Sequence, residues 1–325
     1  MEAIHPTSKE VGFLAYLFVK GLGNYVTSNH MDTMVLGISG GIDSTIVAAI
    51  AKQVSQNTGV KLIGISLMCS TNQLEEVCTA DAVGKEFCDE YYKININSLY
   101  EAASSEFKNG GITKGYTTPI AEGNIKARLR MMYLWHIGGL RNGLVLDTDM
   151  QTEHLLGFFT IMGDTNYLTP IGELWKSEVY KLGQYLIDNV YKGSEALKMA
   201  MMMIPTDGNG ISSSDLEQIG GKSYDEVDDI LYTWYSLAPQ VREKMSADNL
   251  TESIKGSVFD ITPEDEKKKK EALFGGNKSL CTPTLGDKYG VETVRKIILR
   301  SIRSEFKRKH TPLKIDLMSG AIIEQ

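Results

Sequence analysis

One stretch near the N-terminus decides the fold: Met34-Val35-Leu36-Gly37-Ile38-Ser39-Gly40-Gly41-Ile42-Asp43-Ser44, followed by TIVAAIAK at residues 45–52. The apolar run at 34–38 predicts a buried strand, and residues 45–52 predict a helix. Between them, Gly40 and Gly41 permit positive φ and let a ligand approach the backbone closely. Such a strand–loop–helix unit aims successive backbone N–H groups at one point, where the helix dipole favours an anion.

The polar residues of this loop predict that a phosphate binds there together with a cation. Ser39 and Ser44 supply hydroxyl donors, and Asp43 beside an anion requires a bridging cation, which Mg²⁺ on a polyphosphate provides. No Lys-Ser/Thr pair follows the glycines, so the loop is not a Walker A motif, and it is not GxGxxG either. The alternative is an ordinary glycine-rich turn in which Asp43 and Ser44 only cap the helix.

Strands alternate with helices on the C-terminal side of the loop. The further predicted strands are 61–67 (KLIGISL), 91–96 (YYKINI) and 143–146 (GLVL). The predicted helices are one within the first thirty residues, loosened at Gly21 and Gly23, and others at about 73–88, 120–140, 174–190 and 225–235. This alternation predicts an α/β fold, a doubly wound parallel sheet flanked by helices, with C-terminal helical elaborations.

Composition excludes several classes of protein. The 325 residues are 42% hydrophobic and 23% charged, which is ordinary for a globular chain and excludes disorder, collagen and coiled coil as whole-chain structures. No apolar run approaches ~18 residues, so no membrane helix is expected. The N-terminus has no secretory signal pattern, and the four cysteines lack CxxC spacing, so a reduced, cytoplasmic protein is expected. The formal charge of −7 argues against general nucleic-acid binding.

The chain is interpreted as one domain over residues 1–325, although its length alone suggests two at ~150 residues each. Its core is expected at about 30–240. A polar insertion is expected at about 247–286, and a basic C-terminal helix at about 291–309. The methionines at 199–203 are interpreted as core filler rather than as a metal or cofactor site.

The loop and the segments after it resemble a known family. SGGIDS at 39–44 matches the SGGxDS signature of the PP-loop ATP pyrophosphatases, whose fold is adenine nucleotide alpha-hydrolase-like. The later segments, in order, resemble those of the NAD synthetases: EGNIKARLRM at 122–131, TD at 148–149 with Glu153, GFFT at 157–160, GD at 163–164, PI at 170–171, LWK at 174–176, PT at 205–206 and SYDEVDD at 223–229. The resemblance covers residues 34–232, with a weaker match at 307–308.

This resemblance implies an ATP-dependent, amide-forming ligase of the ammonia-dependent type. The nicotinate carboxylate of deamido-NAD would attack the α-phosphate of ATP, pyrophosphate would leave, and ammonia would displace AMP to give NAD. Mg²⁺ is the implied cofactor. The implied partners are ATP, deamido-NAD, ammonia and a second copy of the chain in a homodimer, with Ile120–Leu140 as the candidate contact. Nucleic acid and membrane are not among them.

The resemblance also assigns roles to residues. Asp43 and Glu153 would hold Mg²⁺, Asp164 and Lys176 would be catalytic, and Arg128 and Lys307 would bind deamido-NAD. The implied ATP-binding residues are Gly37, Ile38, Ser39, Gly40, Gly41, Ile42, Asp43, Ser44, Thr148, Lys176 and Thr206. The alternative for several of them is structural: Glu153 and Lys176 as exposed helix residues, Arg128 in a surface ion pair, and Thr148 as a helix N-cap.

The chain departs from the family pattern at a few positions. Ile161 stands where the family has a lysine expected to contact deamido-NAD, and Phe306 stands where it has a histidine. Asp147 replaces a glycine before the TD pair, and the second aspartate of GDGGAD has no counterpart. The losses cluster on the acid-substrate side, so Asn166 or the basic tail is an alternative contact for the acid.

Two further questions concern the nitrogen donor and the substrate. Only 36 residues precede Gly37, fewer than a nitrilase-type glutaminase domain needs, so ammonia is the expected donor. The alternatives to an NAD synthetase are another PP-loop ligase that adenylates a different carboxylate, and a nucleotide-binding module without turnover.

Overall fold

The structure is a computed structural model that describes residues 8–111, 118–164, 167–206, 214–237, 242, 250, 285–308, 314–315 and 322–323. Contacts between Cα atoms divide the chain into two compact units. Unit 1 is Met1–His154 with Phe158–Gln218, and unit 2 is Leu155–Gly157 with Ile219–Gln325. The single synthetase-like domain expected over residues 1–325 stays a prediction.

Unit 1 is built on a four-stranded sheet with the order β3-β2-β1-β4, and every pairing in it is parallel. The strands are β1 (Thr33–Gly37), β2 (Lys61–Met68), β3 (Glu90–Asn95) and β4 (Gly143–Val145). At the start of β1, Thr33 pairs with Lys61 on one side and with Gly143 on the other. These strands lie within one residue of their predicted bounds at each end.

Helices connect and cover the strands. From the N-terminus to residue 219 they are α1 (Ser8–Ser28), α2 (Ile42–Thr58), α3 (Leu74–Phe87), α4 (Asn97–Asn109), α5 (Pro119–Leu140), α6 (Gln151–Leu156), α7 (Lys176–Tyr185) with a π-helical turn at Leu186–Val190, α8 (Glu195–Met202) and α9 (Asp215–Ile219). The connection from β3 to β4 crosses to the other side of β1, so the order of winding reverses between β1 and β4.

Both faces of the sheet are buried under helices, which confirms the predicted doubly wound fold. On one face, Met34 and Leu36 of β1 belong to a core that includes Ile46 of α2. On the other face, Val35 packs in a second core with Leu134 of α5. Neighbouring residues of a strand point to opposite faces, so an unbroken apolar run is what a strand buried on both sides requires.

Two helices differ from expectation. No element was predicted at α4, although Leu99, Ala103 and Phe107 recur at four-residue spacing in its sequence NSLYEAASSEFKN. Of its residues only Ser104 is buried. Helix α1 continues without a break through Gly21 and Gly23. Leu22 lies buried between these glycines, and its packing offsets their low helix propensity.

Unit 2 contains α10 (Tyr224–Ser236), α11 (Leu285–Tyr289), α12 (Val291–Arg303), a 3₁₀ turn at Glu305–Arg308, and the antiparallel pair β5 (Lys314–Ile315) and β6 (Ile322–Ile323). Helix α12 and the 3₁₀ turn occupy the predicted basic segment. The predicted insertion at 247–286 lies outside the described residues except at 250, 285 and 286. In the described part of the chain, no helix has both the length and the apolar character needed to cross a bilayer.

Candidate active site

The predicted phosphate loop lies between the end of β1 and the start of α2. Its two serines contact each other, with 2.9 Å between their Oγ atoms, and the Gly41 N–H donates to Ser39 Oγ over 3.1 Å. Gly41 is the N-cap of α2 and provides no side-chain cap. The first turn of α2 therefore presents backbone N–H groups, which is the geometry that binds an anion.

Gly40 requires the backbone freedom that only glycine has. Its φ is +88°, and a Cβ added there would lie 2.4 Å from the backbone oxygen of Glu76 in α3. The loop is thus pressed against α3 at a point where no side chain fits.

The loop lies at the point where the winding of the sheet reverses. In parallel α/β sheets, ligands bind outside the carboxyl ends of the strands at this switch point. Here Ile38 continues from β1 and donates its N–H to Ile65 of β2, while Leu146 continues from β4 and donates to Val35. The predicted ATP residue Thr148 follows two residues later, so both predicted segments end at the same edge of the sheet.

A buried lysine joins the two predicted metal ligands. Lys176, at the start of α7, is only 1% exposed, and its Nζ donates to Asp43 Oδ2. The same Nζ lies 3.6 Å from Glu153 Oε1 on α6. A buried ammonium is stable only when it is paired, so the alternative of an exposed helix lysine is wrong for Lys176. Its backbone N–H donates to Thr152 Oγ1 over 2.9 Å, which fixes the start of α7 against α6.

Negative charge accumulates around this lysine. Burial raises the pKa of Glu153 well above its ordinary value; Lys176 opposes this shift, and the charges of Asp43 and Asp215 add to it. Burial and the nearby Asp147 likewise raise the pKa of Asp149. One lysine does not neutralise so many acidic groups, and a cation bound here would favour their ionised forms.

The residues present fit a divalent cation. Asp43 Oδ1 is buried and has no hydrogen-bond partner among the described residues, so this oxygen is available to bind a cation. Within the described residues, no group of three or more His, Cys, Asp or Glu side chains forms a complete metal site. Mg²⁺ is commonly held by one or two carboxylates with phosphate oxygens and water supplying the rest, which matches this set.

Asp147 organises the turn that carries Thr148. Its Oδ1 accepts the backbone N–H groups of Thr148, over 2.7 Å, and Asp149, over 3.1 Å. Its Oδ2 accepts from the Thr169 hydroxyl over 3.1 Å. Thr148 precedes α6, and its backbone is held by the residue before it.

Thr206 is joined to the loop region through Glu76. Its hydroxyl donates to Glu76 Oε1 over 2.6 Å. The other oxygen of Glu76 accepts the N–H of Gln73 and so caps α3, whose backbone touches Gly40. The contact of Thr206 with ATP stays a prediction. The position of Thr206 near the phosphate loop agrees with that role.

Asp164 lies in a turn after the GFFT segment. Its Oδ2 accepts the Thr160 backbone N–H over 2.7 Å. Burial raises its pKa, and the hydrogen bonds from Thr160 oppose that shift. The Thr160 hydroxyl donates to Asn124 of α5 over 2.8 Å, which ties the turn to the EGNIKARLRM segment.

Arg128 and Lys307, the predicted deamido-NAD contacts, both donate to backbone carbonyls. In unit 1, Arg128 is exposed on α5 and donates to the Ile161 carbonyl over 3.2 Å. In unit 2, Lys307 donates to the Gly157 carbonyl over 2.8 Å. The alternative of a surface ion pair is not found for Arg128 among the described contacts, and the binding roles of both residues stay predictions.

Sequence reasoning missed Glu76, Asp149, Asp215 and the organising role of Asp147. Glu76 had a signal, because a Glu three residues after the N-cap is the second half of a capping box, and the Gln73 N–H donates to Glu76 Oε2 over 3.1 Å. The others had none, since acidic residues in loops are common and their partners are distant in sequence.

The fold and the site define an α/β nucleotide-binding protein of the PP-loop class. A family model described as NAD synthase matches residues 15–272. The chain therefore belongs to the NAD synthase family, and the predicted family and fold are confirmed.

Individual relatives differ in how much of them this chain covers. The NH(3)-dependent NAD(+) synthetase of Syntrophomonas wolfei is 32% identical over 199 residues, which are 61% of this chain and 75% of that protein. The glutamine-dependent NAD(+) synthetase of Thermotoga maritima is 28% identical over 276 residues, or 83% of this chain, and the match spans only 45% of that protein. The solved structure of an NMN synthetase from Francisella tularensis has a TM-score of 0.60 at 30% identity, covering 70% of this chain and 87% of that one.

Proposed function

We propose that the protein forms NAD from deamido-NAD, ATP and ammonia, releasing AMP and pyrophosphate. One observation carries the proposal. In a chain of the NAD synthase family, the buried Lys176 bridges Asp43 of the phosphate loop and Glu153 at the switch point of the sheet. A buried cation beside a phosphate loop fits a reaction in which negative charge builds on a leaving pyrophosphate.

The reaction has two steps. A carboxylate oxygen of deamido-NAD forms a bond to the α-phosphorus of ATP, and the bond from that phosphorus to the bridging oxygen of the β-phosphate breaks, releasing pyrophosphate. Ammonia then bonds to the carboxyl carbon, the bond from carbon to AMP breaks, and one proton is lost. Little covalent chemistry falls to the protein, so orientation and charge neutralisation dominate.

The chain's own residues supply binding and charge in the first step. The N–H groups of the loop and the Ser39 and Ser44 hydroxyls bind phosphate oxygens. Asp43 and Glu153 would hold Mg²⁺, which when bound neutralises the phosphates and polarises the phosphorus. Lys176 neutralises charge on the leaving group.

Asp164 acts in the second step. A carboxylate whose pKa is raised by burial is a better proton acceptor near neutral pH than an exposed one. We assign it the proton released by ammonia. Thr148 and Thr206 contact the nucleotide, and Arg128 and Lys307 contact the acid.

Ammonia is the proposed nitrogen donor, supported by the relative of that type, of which this chain covers three quarters. The test supplies ammonium chloride or glutamine at equal concentration with Mg-ATP and deamido-NAD. NAD formed from ammonium alone supports the proposal. NAD formed equally well from glutamine by the purified chain contradicts it.

A second candidate acid is nicotinate mononucleotide, which would give NMN. Two observations favour it: the similarity to a solved NMN synthetase, and Ile161 in place of the family lysine expected to contact deamido-NAD. Comparing kcat/KM for the two acids decides between them. A tenfold or greater preference for the mononucleotide replaces the first candidate, whereas AMP release with neither acid contradicts both.

We also propose a cytoplasmic homodimer that uses α5. Exposed apolar side chains lie along this helix at Ile120, Met132, Trp135 and Leu140, of which Met132 and Trp135 are neighbours one turn apart. Exposed apolar side chains that lie together favour association. Light scattering of the wild type and of Trp135→Glu tests it: a dimer that dissociates in the variant supports the proposal, and a monomeric wild type contradicts it.

A further inference from the structure

In the segment after β4, the side chain of Asp147 links the turn at Thr148–Asp149 to Thr169 through hydrogen bonds. Asp147 is 3% exposed and accepts hydrogen bonds from the backbone N–H groups of Thr148 and Asp149 and from the Thr169 hydroxyl. The backbone on this side is joined as well: Leu146 forms a parallel bridge with Leu168, and the Asp147 N–H donates to the Leu168 carbonyl over 2.9 Å.

The two linked parts have different predicted tasks. Thr148 belongs to the nucleotide side of the site. Thr169 directly follows the run 161–168, in which this chain departs from the family pattern on the acid-substrate side. Asp147 is itself a departure, since it stands where the pattern has glycine, and a glycine provides no carboxylate for such a link.

We propose that Asp147 is a positioning residue that couples the nucleotide turn at Thr148–Asp149 to Leu168 and Thr169 on the acid-substrate side, and so sets affinity for the acid in this chain. The inference rests on the proposed function, which places the nucleotide at Thr148 and the acid at Arg128, whose side chain donates to the carbonyl of Ile161 at the start of the run 161–168. A buried carboxylate is retained only where its oxygens are satisfied, and here both are.

The chain offers matched variants. Thr169→Val removes one hydroxyl and keeps the side-chain shape, so it removes only the hydrogen bond from Thr169 to Asp147. Asp147→Gly removes the hydrogen bonds of the carboxylate to Thr148, Asp149 and Thr169, and it restores the residue of the family pattern. Asp147→Asn keeps an oxygen for the two N–H groups and an amide that donates to the Thr169 hydroxyl oxygen.

Thr33→Val is the control. Thr33 is also 3% exposed, and its hydroxyl also makes a 3.1 Å bond, to the Arg141 carbonyl, but it lies at the amino end of β1. It loses a comparable hydrogen bond at the opposite edge of the sheet from the site.

The experiment measures kcat and KM for ATP and for the acid separately in each variant. We expect Thr169→Val to raise KM for the acid by up to about tenfold with KM for ATP unchanged, the fold-change that the loss of one ordinary hydrogen bond gives. Asp147→Gly raises both KM values, Asp147→Asn stays within about threefold of the wild type, and Thr33→Val changes neither. Adding Thr169→Val to Asp147→Gly changes KM for the acid no further, because Asp147→Gly has already removed the acceptor of the Thr169 hydroxyl.

Two results overturn the inference. One is a Thr169→Val variant whose acid KM moves no more than that of Thr33→Val, and the other is Asp147→Gly behaving like Asp147→Asn. If the wild type amidates neither acid, the proposed function fails instead. The ATP dissociation constants of Asp147→Gly and Asp147→Asn, measured by equilibrium dialysis, then decide: equal constants overturn the inference, because Asp147 does not position the nucleotide turn, and weaker binding by Asp147→Gly alone supports that positioning.

Discussion

Gly40 and Gly59 flank α2 and share a left-handed backbone, with φ of +88° and +80°. They differ in their surroundings, because a Cβ at Gly40 would meet the Glu76 carbonyl whereas one at Gly59 would have nothing within 4 Å. We expect Gly59→Ala to lower the free energy of unfolding by about 1 kcal/mol, the cost of the backbone conformation alone.

Gly40→Ala adds a clash with backbone, so its cost rises to about 3 kcal/mol and the phosphate loop is displaced. Urea unfolding measures the stability, and titration with Mg-ATP measures the loop. ATP affinity falls at least tenfold in Gly40→Ala and is unchanged in Gly59→Ala. Equal ATP affinity in the two variants would show that the loop does not bind phosphate.

Asp43 provides the second prediction for a single residue. Asp43→Asn removes the charge that pairs with Lys176 and replaces one carboxylate oxygen with an amide NH₂ group that does not bind a cation, so AMP release falls about 100-fold or more. Asp81→Asn is the control, because Asp81 pairs with Lys85 and Lys93 on the surface, and its loss leaves AMP release unchanged. AMP formation at the wild-type rate by Asp43→Asn would remove the metal role.

At the scale of one element, the capping of α3 by Glu76 is expected to contribute to stability. Glu76 is buried and caps this helix, accepts from Thr206, and lies beside the loop glycine. Glu76→Ala lowers the free energy of unfolding by about 1–3 kcal/mol, because it leaves buried donors without an acceptor. Its neighbour Glu75 is exposed in the same helical turn, and Glu75→Ala changes stability by less than about 0.5 kcal/mol. Thermal unfolding of the two variants side by side gives the comparison, and equal losses would refute the capping role.

The strands and most of the helices were predictable because the residues they bury are apolar and recur at regular spacing in the sequence. Residues 34–38 are apolar without a break, and the strand they form is buried on both faces. Helix α4 was missed because it buries only Ser104, although Leu99, Ala103 and Phe107 recur at helical spacing. The same limit applies to the site. The loop motif is contiguous and was found, whereas the contact of Asp43 with Lys176 joins residues 133 positions apart and required the fold.

At the scale of the whole molecule, ligand binding is linked to stability. A nucleotide at 100 times its dissociation constant stabilises the folded state by about 2.7 kcal/mol, so Mg-ATP raises the melting temperature by about 5 °C. Removing Mg²⁺ with EDTA abolishes most of this shift if Asp43 and Glu153 hold the cation. The readout is a thermal shift assay with ATP present throughout, and a shift that EDTA leaves intact would mean that ATP binds without the metal.

In the proposed reaction, the acid's carboxylate attacks the α-phosphate of ATP in the site formed by Asp43, Glu153 and Lys176. Deamido-NAD labelled with ¹⁸O in both carboxyl oxygens tests it directly, with mass spectrometry of the products after incubation with Mg-ATP and ammonium. Adenylation predicts one ¹⁸O in AMP, one in the amide of NAD and none in pyrophosphate. Label in a phosphate or pyrophosphate product, or unlabelled AMP formed alongside NAD, would contradict the account.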